Sequence, residues 1–169
     1  MENKAHGLRR YFERDRFLSD LDEQGENLSM TTSTHGQVEH INPEGLSKNP
    51  AFTQVIAVTG PAKTIYIGGQ DAVDASGAIV GKGDIKVQVE QVFKNLQTAL
   101  TASGADLEHV IKWSIYIVQG QALRPGFEVS QRIWGGRPNP PAITVMFVAG
   151  LANPDFLVEV DAIAVVPEQ

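Results

Sequence analysis

A single helix with β-type segments on both sides constrains the fold of this chain more than any other feature. Asp84 is a favourable N-cap, and Gly104 occupies the position of a glycine that ends a helix. Between them, apolar residues recur at helical spacing: Ile85, Val89, Val92, Phe93, Leu96, Ala99 and Leu100. The alternating, β-branched segment 110–118 follows and predicts a strand. Because a helix between two strands is a crossover connection, part of the sheet is predicted to be parallel.

Four more segments have the composition of β-strands. The first two, residues 55–59 and 64–68, flank Gly60-Pro61-Ala62-Lys63, and this pattern predicts a β-hairpin with a four-residue turn. The last two are residues 144–148 and 156–165, which are predicted to be the final strands of the sheet.

A second, shorter helix is predicted to begin near Pro125, a residue that suits the first turn of a helix. Phe127, Ile133 and Trp134 anchor this helix, and Gly135-Gly136 ends it. Two helices are too few for a doubly wound sheet. We therefore predict an α+β fold in which both helices lie on one face of a mixed sheet.

Apolar residues in the strands indicate that the other face is covered as well. Examples are Trp113, Ile115, Ile117, Val158, Val160 and Ala162. Because two helices cover only one face, the second face is expected to be covered by another subunit. The pattern thus predicts a homo-oligomer.

Composition narrows the function classes. The chain has 169 residues, which is typical of one domain, and its net charge of -6 argues against a nucleic-acid binder with a basic surface. No apolar run approaches the roughly 18 residues of a membrane span. The chain contains no cysteine, which excludes disulfides, thiol nucleophiles and cysteine metal sites. We expect a cytoplasmic protein.

The histidines and the common motifs predict no metal or nucleotide site. His6, His35, His40 and His109 are scattered and lack the paired spacing of zinc ligands. The sequence also lacks a P-loop, a dinucleotide-binding glycine motif and a serine nucleophile elbow.

The N-terminal part of the chain differs from the rest. Residues 1–29 are rich in charge, and the polar segment 30–34 follows them. Leu8, Tyr11, Phe12, Phe17, Leu18 and Leu21 are spaced like one face of a helix. We interpret residues 1–36 as an N-terminal extension, either flexible or a leader segment, with a functional helix as the alternative. Residues 37–169 are interpreted as the folded domain.

Several motifs, in the same order, resemble the Rid family, also called the YjgF or L-PSP family. They are a strand end at Tyr66–Gln70, a loop with Gly77 and Gly81, a helix motif at Gln91–Gly104, a strand start at Val110–Lys112 and the final strand at Val158–Val165. The resemblance covers about Ile41 to Pro167.

The resemblance implies a chorismate-mutase-like fold and a homotrimer with a central barrel and ligand clefts between subunits. The best-known members hydrolyse enamines and imines to ammonia and a 2-keto acid, without a metal or cofactor. Other members are described as ribonucleases or translation inhibitors. If this chain is an enzyme, the resemblance implies a cofactor-independent hydrolase of an imine, an enamine or a related metabolite.

Ile143 is the position at which the sequence departs from the deaminating members. In those members, an arginine in a P-(A/x)-R-(S/T) strand start binds the carboxylate of the imino acid. The matching segment here is Pro141-Ala142-Ile143-Thr144. Isoleucine offers no charged hydrogen bond, and burying an unpaired carboxylate costs several kcal/mol.

The resemblance also assigns the other candidate cleft residues. Glu159 matches the family glutamate that orients or deprotonates a water, and we interpret it as the candidate catalytic residue. Gly69, Gln70 and Phe52 match positions at the cleft; the alternatives are a backbone bend at Gly69, turn-stabilising hydrogen bonds at Gln70 and packing at Phe52, and packing is favoured for Phe52. Trp134 and Phe147 are candidate cleft aromatics that also suit a core.

Three functional hypotheses follow. The first is a trimer that binds a small metabolite without the standard deaminase activity. The second is an imine deaminase in which Arg137, from the loop Gly-Gly-Arg-Pro, or Arg124 replaces the missing cation. The third is a ribonuclease or translation inhibitor, which the acidic composition disfavours.

Overall fold

The computed structural model describes residues 34–169, so the helical pattern between Leu8 and Leu21 lies outside the described residues. The elements are β1 (Gln37–Ile41), β2 (Val55–Thr59), β3 (Ala62–Gln70), α1 (Ile85–Ala102), a short 3-10 helix (Leu107–His109), β4 (Val110–Val118), α2 (Leu123–Trp134), β5 (Ala142–Val148) and β6 (Val158–Pro167). Within this part of the chain, neither helix has the length and apolarity needed to cross a bilayer.

The main sheet has the strand order β3-β6-β4-β5. β6 pairs antiparallel with both β3 and β4, whereas β4 and β5 are parallel and are connected through α2. Both helices lie on one face, because Phe93 of α1 and Trp134 of α2 contact the ring of Trp113 in β4. The predicted mixed α+β sheet with two helices on one face is confirmed.

The helix boundaries follow the local signals in the sequence. The carboxylate of Asp84 accepts hydrogen bonds from the N–H groups of Lys86 (2.9 Å) and Val87 (3.2 Å). α2 ends at Gly135, which has a left-handed conformation with a φ of 65°. Phe127 differs from its predicted anchoring role, since about half of its side chain is exposed.

The predicted hairpin between residues 55–59 and 64–68 is wrong. β2 pairs with β1 in a separate two-stranded sheet, and β3 pairs with β6. Gly60 marks the change of sheet, with a φ of +74° and no room for a Cβ, which would lie 2.4 Å from the His35 carbonyl oxygen. The Pro61 carbonyl accepts a hydrogen bond from the N–H of Glu168 (3.0 Å). Pairing with segments distant in sequence therefore overrides the local turn signal.

The residues that predicted a two-sided apolar sheet all lie on one face. Trp113 pairs with Ala162, Ile115 with Val160, and Ile117 with Val158. Paired residues point to the same side of a sheet, and here that side is covered by the helices. The second face is more polar, with Lys112, Ser114, Tyr116, Glu159 and Asp161 beside apolar Met146 and Ile163. The sequence argument for covering the second face is therefore wrong.

Candidate functional site

Ile143 lies in the wall of an apolar cavity on the helix-covered face, and we call this space the Ile143 cavity. Its volume is about 200 Å³. The β4–β5 pairing places Ile143 beside Trp113, while Phe52 and Trp134 contribute aromatic walls. Among residues 34–169, no charged side chain lines the Ile143 cavity. The cavity is therefore suited to an uncharged ligand.

Two tryptophans line the Ile143 cavity, and their indole N–H groups differ. The Trp134 N–H donates to the backbone carbonyl of Arg137 at 2.8 Å. Trp113 is only 3 % exposed, and its indole N–H has no acceptor in the described part of the chain. Its ring makes edge-to-face contacts with Phe93 and Trp134, at centroid distances of 5.2 and 5.5 Å. The position of the ring is thus fixed while its polar group stays unsatisfied.

A larger apolar cavity of about 450 Å³ adjoins the Ile143 cavity, between the two helices and the sheet. Ile115, Phe127, Ser130 and Val145 line both spaces. Phe147, a predicted cleft residue, is exposed on β5 beside Ile117 and does not line the Ile143 cavity. The two cavities form a largely apolar trough along β4 and β5.

The two arginines proposed as substitute cations lie elsewhere. Nη1 of Arg137 donates to the carbonyl groups of Ile133 (3.0 Å) and Trp134 (2.5 Å), which belong to the last turn of α2. Arg137 lines a different cleft, together with His40. Nε of Arg124 donates to the carboxylate of Glu128 at 2.8 Å, and Arg124 lines the larger cavity. Neither arginine lines the Ile143 cavity.

Glu159 and Gly69 come together on the second face of the sheet, whereas Gln70 pairs with Val160 and so lies on the helix-covered side. Gly69 lies where the β3–β6 register shifts, and a Cβ there would be 1.8 Å from Oε1 of Glu159. Glycine is therefore what allows the Glu159 carboxylate to lie against the β3 backbone. The side-chain amide of Gln70 donates to the Gly68 carbonyl at 3.0 Å, so it stabilises the strand end.

The predicted site residues thus form two groups within one chain. Phe52, Trp134 and Ile143 line the Ile143 cavity on the helix-covered face. Gly69 and Glu159 meet on the opposite face. A single subunit does not bring the two groups into one cleft.

Asp71 is a site residue that sequence reasoning missed. Its Oδ1 atom is buried and accepts no hydrogen bond from the described residues. Burial and, to a smaller extent, the charge of Glu159 raise the pKa of Asp71 to about 6. Its only sequence signal was its position directly after Gln70. With its raised pKa, Asp71 keeps its proton to a higher pH than an ordinary aspartate does, which makes it a candidate for a functional carboxyl group.

Replacing Asp71 with asparagine is expected to change how stability depends on pH. The pKa of Asp71 is raised in the folded state, so the protonated carboxyl favours folding below about pH 4, and this contribution is lost as the pH rises through about 6. We expect the melting temperature of Asp71→Asn to exceed that of the parent protein by a few degrees at pH 8. The difference should disappear at pH 4.

Asp74→Asn is a matched control in the same loop. Hydrogen bonds from Ser76 and Ala78 lower the pKa of Asp74, so its charged form favours folding above its ordinary pKa. This control should therefore lower the melting temperature at pH 8. An Asp71→Asn variant that is also less stable at pH 8 would contradict the role of burial at Asp71.

The family model described as Endoribonuclease L-PSP matches residues 46–166, which is most of the chain. The chain belongs to the L-PSP (Rid) family. This confirms the resemblance that was based on the strand-end, helix and final-strand motifs.

Named L-PSP family relatives and a solved structure agree with this assignment. Protein DfrA of Myxococcus xanthus is 32% identical over 114 residues, which cover 68% of this chain and 84% of the relative. A 2-iminobutanoate/2-iminopropanoate deaminase of Rattus norvegicus is 30% identical over 115 residues, covering 68% and 80%. The crystal structure of the Rid family protein YyfB from Yersinia pestis, whose function is unknown, has a TM-score of 0.68 and 28% identity, and the match covers 76% of this chain and 98% of that one.

Proposed function

We propose that this L-PSP family protein is a cytoplasmic homotrimer that binds a small uncharged metabolite in clefts between subunits and does not hydrolyse 2-imino acids. The uncharged wall of the Ile143 cavity carries this proposal. A 2-imino acid bears a carboxylate, and burying that group without a cation costs several kcal/mol. An arginine fork would offset the cost, but position 143 holds isoleucine.

The contacts of the two nearby arginines support the proposal. Moving Arg137 into the Ile143 cavity would break its hydrogen bonds to two carbonyl groups in the last turn of α2. Arg124 would have to leave Glu128. Moving either arginine into the Ile143 cavity would therefore cost free energy through lost hydrogen bonds. An arginine at position 143 itself would not have this cost.

Assembly into a trimer is supported by the edge of the main sheet. β5 is an edge strand, and Val145, Met146 and Phe147 are exposed along it. An exposed apolar edge strand is typical of a surface that pairs with another chain. Because Ile143 and Glu159 lie on opposite faces of the sheet, a cleft that contains both requires two subunits.

Purified protein is expected to leave the conversion of freshly generated 2-aminoacrylate to its keto acid at the rate seen in buffer. The keto acid is measured over time, with the rat deaminase as the positive control and light scattering to establish that three chains assemble. Acceleration comparable to that by the rat protein would contradict the proposal.

The alternative is a deaminase that uses a substitute arginine, and the name of the rat relative favours it. If the protein does accelerate keto-acid formation, Arg137→Ala and Arg124→Ala are compared. Loss of activity in only one of them would identify the substitute cation. A ribonuclease role is disfavoured by the net charge of -6, and RNA cleavage abolished by Glu159→Gln would support it.

A further inference from the structure

A cleft of about 320 Å³ shares no lining residue with the Ile143 cavity, and we call it the Arg137 cleft. Its polar lining consists of five residues: His40, Glu108, His109, Arg137 and Asn139. Its other lining residues are apolar: Val38, Ile111, Pro138, Val165 and Pro167. A few polar groups between apolar walls are typical of a site for a small molecule.

Arg137 is held in place while part of its guanidinium group stays unused. Its Nη1 donates to the carbonyl groups of Ile133 (3.0 Å) and Trp134 (2.5 Å). Its Nε and Nη2 make no hydrogen bond or ion pair with the described residues. Two adjacent N–H groups of a guanidinium bind a carboxylate bidentately. The anchored side chain is therefore suited to hold a carboxylate.

Glu108 supplies the opposite charge in the Arg137 cleft. Within residues 34–169, its carboxylate has no hydrogen-bond or ion-pair partner, and it does not pair with Arg137. The guanidinium is kept on the last turn of α2 by its two carbonyl partners. A cation and an anion that share a cleft without pairing are complementary to a ligand that carries both charges.

His40 adds a hydrogen-bond acceptor. The hydroxyl of Thr53 donates to the carbonyl of Pro140, so the hydroxyl oxygen accepts from Nδ1 of His40 at 3.2 Å. Burial lowers the pKa of His40, which favours the neutral ring, and its Nε2 then keeps a lone pair. Thr53 is 2 % exposed and does not line the cleft, so the ring edge with Nε2 is the one left for a ligand.

The two remaining polar side chains differ in their contacts. Nδ1 of His109 is engaged by Asp106 in the capping box of the 3-10 helix. The side-chain amide of Asn139 makes no hydrogen bond with the part of the chain that the structure describes. Asn139 follows Arg137 by two residues, so its amide can assist in binding the same anion.

The volume sets the size of the ligand. A dry cavity of roughly 150 Å³ in an unrelated protein holds one benzene ring. At about 320 Å³, the Arg137 cleft lies at the small end of ligand pockets and has room for an amino acid with a branched side chain.

We propose that the Arg137 cleft binds a small apolar amino acid as its zwitterion, with the carboxylate on Arg137 and the ammonium group on Glu108 and His40. The apolar side chain contacts walls such as Val38 and Ile111. This site is formed by one chain, and the inference does not depend on the proposed function.

L-Valine and two of its fragments are matched probes. 3-Methylbutanoate lacks the ammonium group, and isobutylamine lacks the carboxylate. Because each charged group adds a charge-assisted hydrogen bond, valine is expected to bind at least about tenfold more tightly than either fragment. A ¹H–¹⁵N NMR titration measures the three affinities, and valine should shift the backbone amide signals of Glu108, His109 and Asn139.

Two variants separate the charges. Glu108→Gln removes no contact within residues 34–169, so it should weaken valine binding about tenfold without weakening 3-methylbutanoate binding. Arg137→Gln should weaken both. Arg132→Gln is the matched control, because Arg132 also belongs to α2 but pairs with Glu90 outside the cleft, and this variant should bind valine like the parent protein. If Arg137→Gln does not fold, Glu108→Gln and the fragments still decide the question.

Four results would overturn the inference: equal affinities for valine and its fragments, no valine binding at millimolar concentration, parent-like valine binding by Glu108→Gln, or shifts confined to residues of the Ile143 cavity. The deaminase assay is independent of all four. Keto-acid formation together with valine binding at the Arg137 cleft would contradict only the proposed absence of deaminase activity. Unshifted amide signals without keto-acid formation would contradict only the amino-acid site.

Discussion

Ile143→Arg is expected to lower the free energy of unfolding by about 2 kcal/mol in buffer free of carboxylates, because an unpaired charge at this partly buried apolar position carries a desolvation cost. Ile143 packs against the hydrophobic core, and no acidic side chain of the described residues lines its cavity. The long arginine side chain reduces the cost by extending toward the open side, which keeps the loss moderate. Urea unfolding followed by tryptophan fluorescence measures it.

The stability of the Ile143→Arg variant should increase when a small carboxylate is added. A 2-keto acid such as pyruvate offers the bidentate partner that the guanidinium lacks, so pyruvate should raise the melting temperature of Ile143→Arg and leave that of the parent protein unchanged. Ile143→Met is the matched control, because methionine has a similar volume and no charge. It should lower the free energy of unfolding by less than about 1.5 kcal/mol, and pyruvate should leave its melting temperature unchanged. An arginine variant as stable as the methionine variant would show that the cavity accommodates a cation without a partner.

Local sequence signals predicted the elements whose boundaries depend on nearby residues. Asp84 and Gly135 act through contacts within a few residues, and both helices begin and end close to where these signals place them. The hairpin failed because Gly60-Pro61 resembles a turn, while the partners of β2 and β3 come from distant parts of the chain. Turn chemistry carries no information about such pairing.

In the candidate site too, features that depend on neighbouring residues in the sequence were predicted, and features that depend on the packed structure were missed. Ile143 was found because a motif fixes its position, and the structure explains its chemistry through the walls of its cavity. Trp113 and Asp71 were missed as site residues, because their importance depends on partners they lack. An unsatisfied N–H or carboxylate oxygen is a property of the packed structure and leaves no pattern in the sequence.

Gly69→Ala is the second substitution with an expected effect at the site, because it displaces the Glu159 carboxylate. The new Cβ would lie 1.8 Å from Oε1, 2.6 Å from Cδ and 3.0 Å from Cγ of Glu159, so the glutamate side chain has to leave its position. We expect the free energy of unfolding to fall by about 1 kcal/mol, because the atoms in the way belong to the end of a flexible side chain that can rotate aside. The pKa of Asp71 should also fall slightly, because the Glu159 charge, the smaller of the two causes that raise it, moves away while burial remains. Urea unfolding and the NMR titration of Asp71 measure these two effects.

Gly68→Ala is the matched control, because Gly68 lies in the same strand and a Cβ there has no atom within 4 Å. Its cost should stay within about 0.5 kcal/mol. Glu159→Ala in the Gly69→Ala background removes the obstructing carboxylate, so the double variant should regain most of the lost stability, with a coupling energy of at least about 0.5 kcal/mol. Equal losses for the two glycine variants, or additive effects in the double variant, would mean that the contact between Gly69 and Glu159 does not hold the carboxylate in place. Coupling of the expected size would instead establish that the absence of a side chain at Gly69 in β3 leaves room for the Glu159 carboxylate on the second face of the sheet.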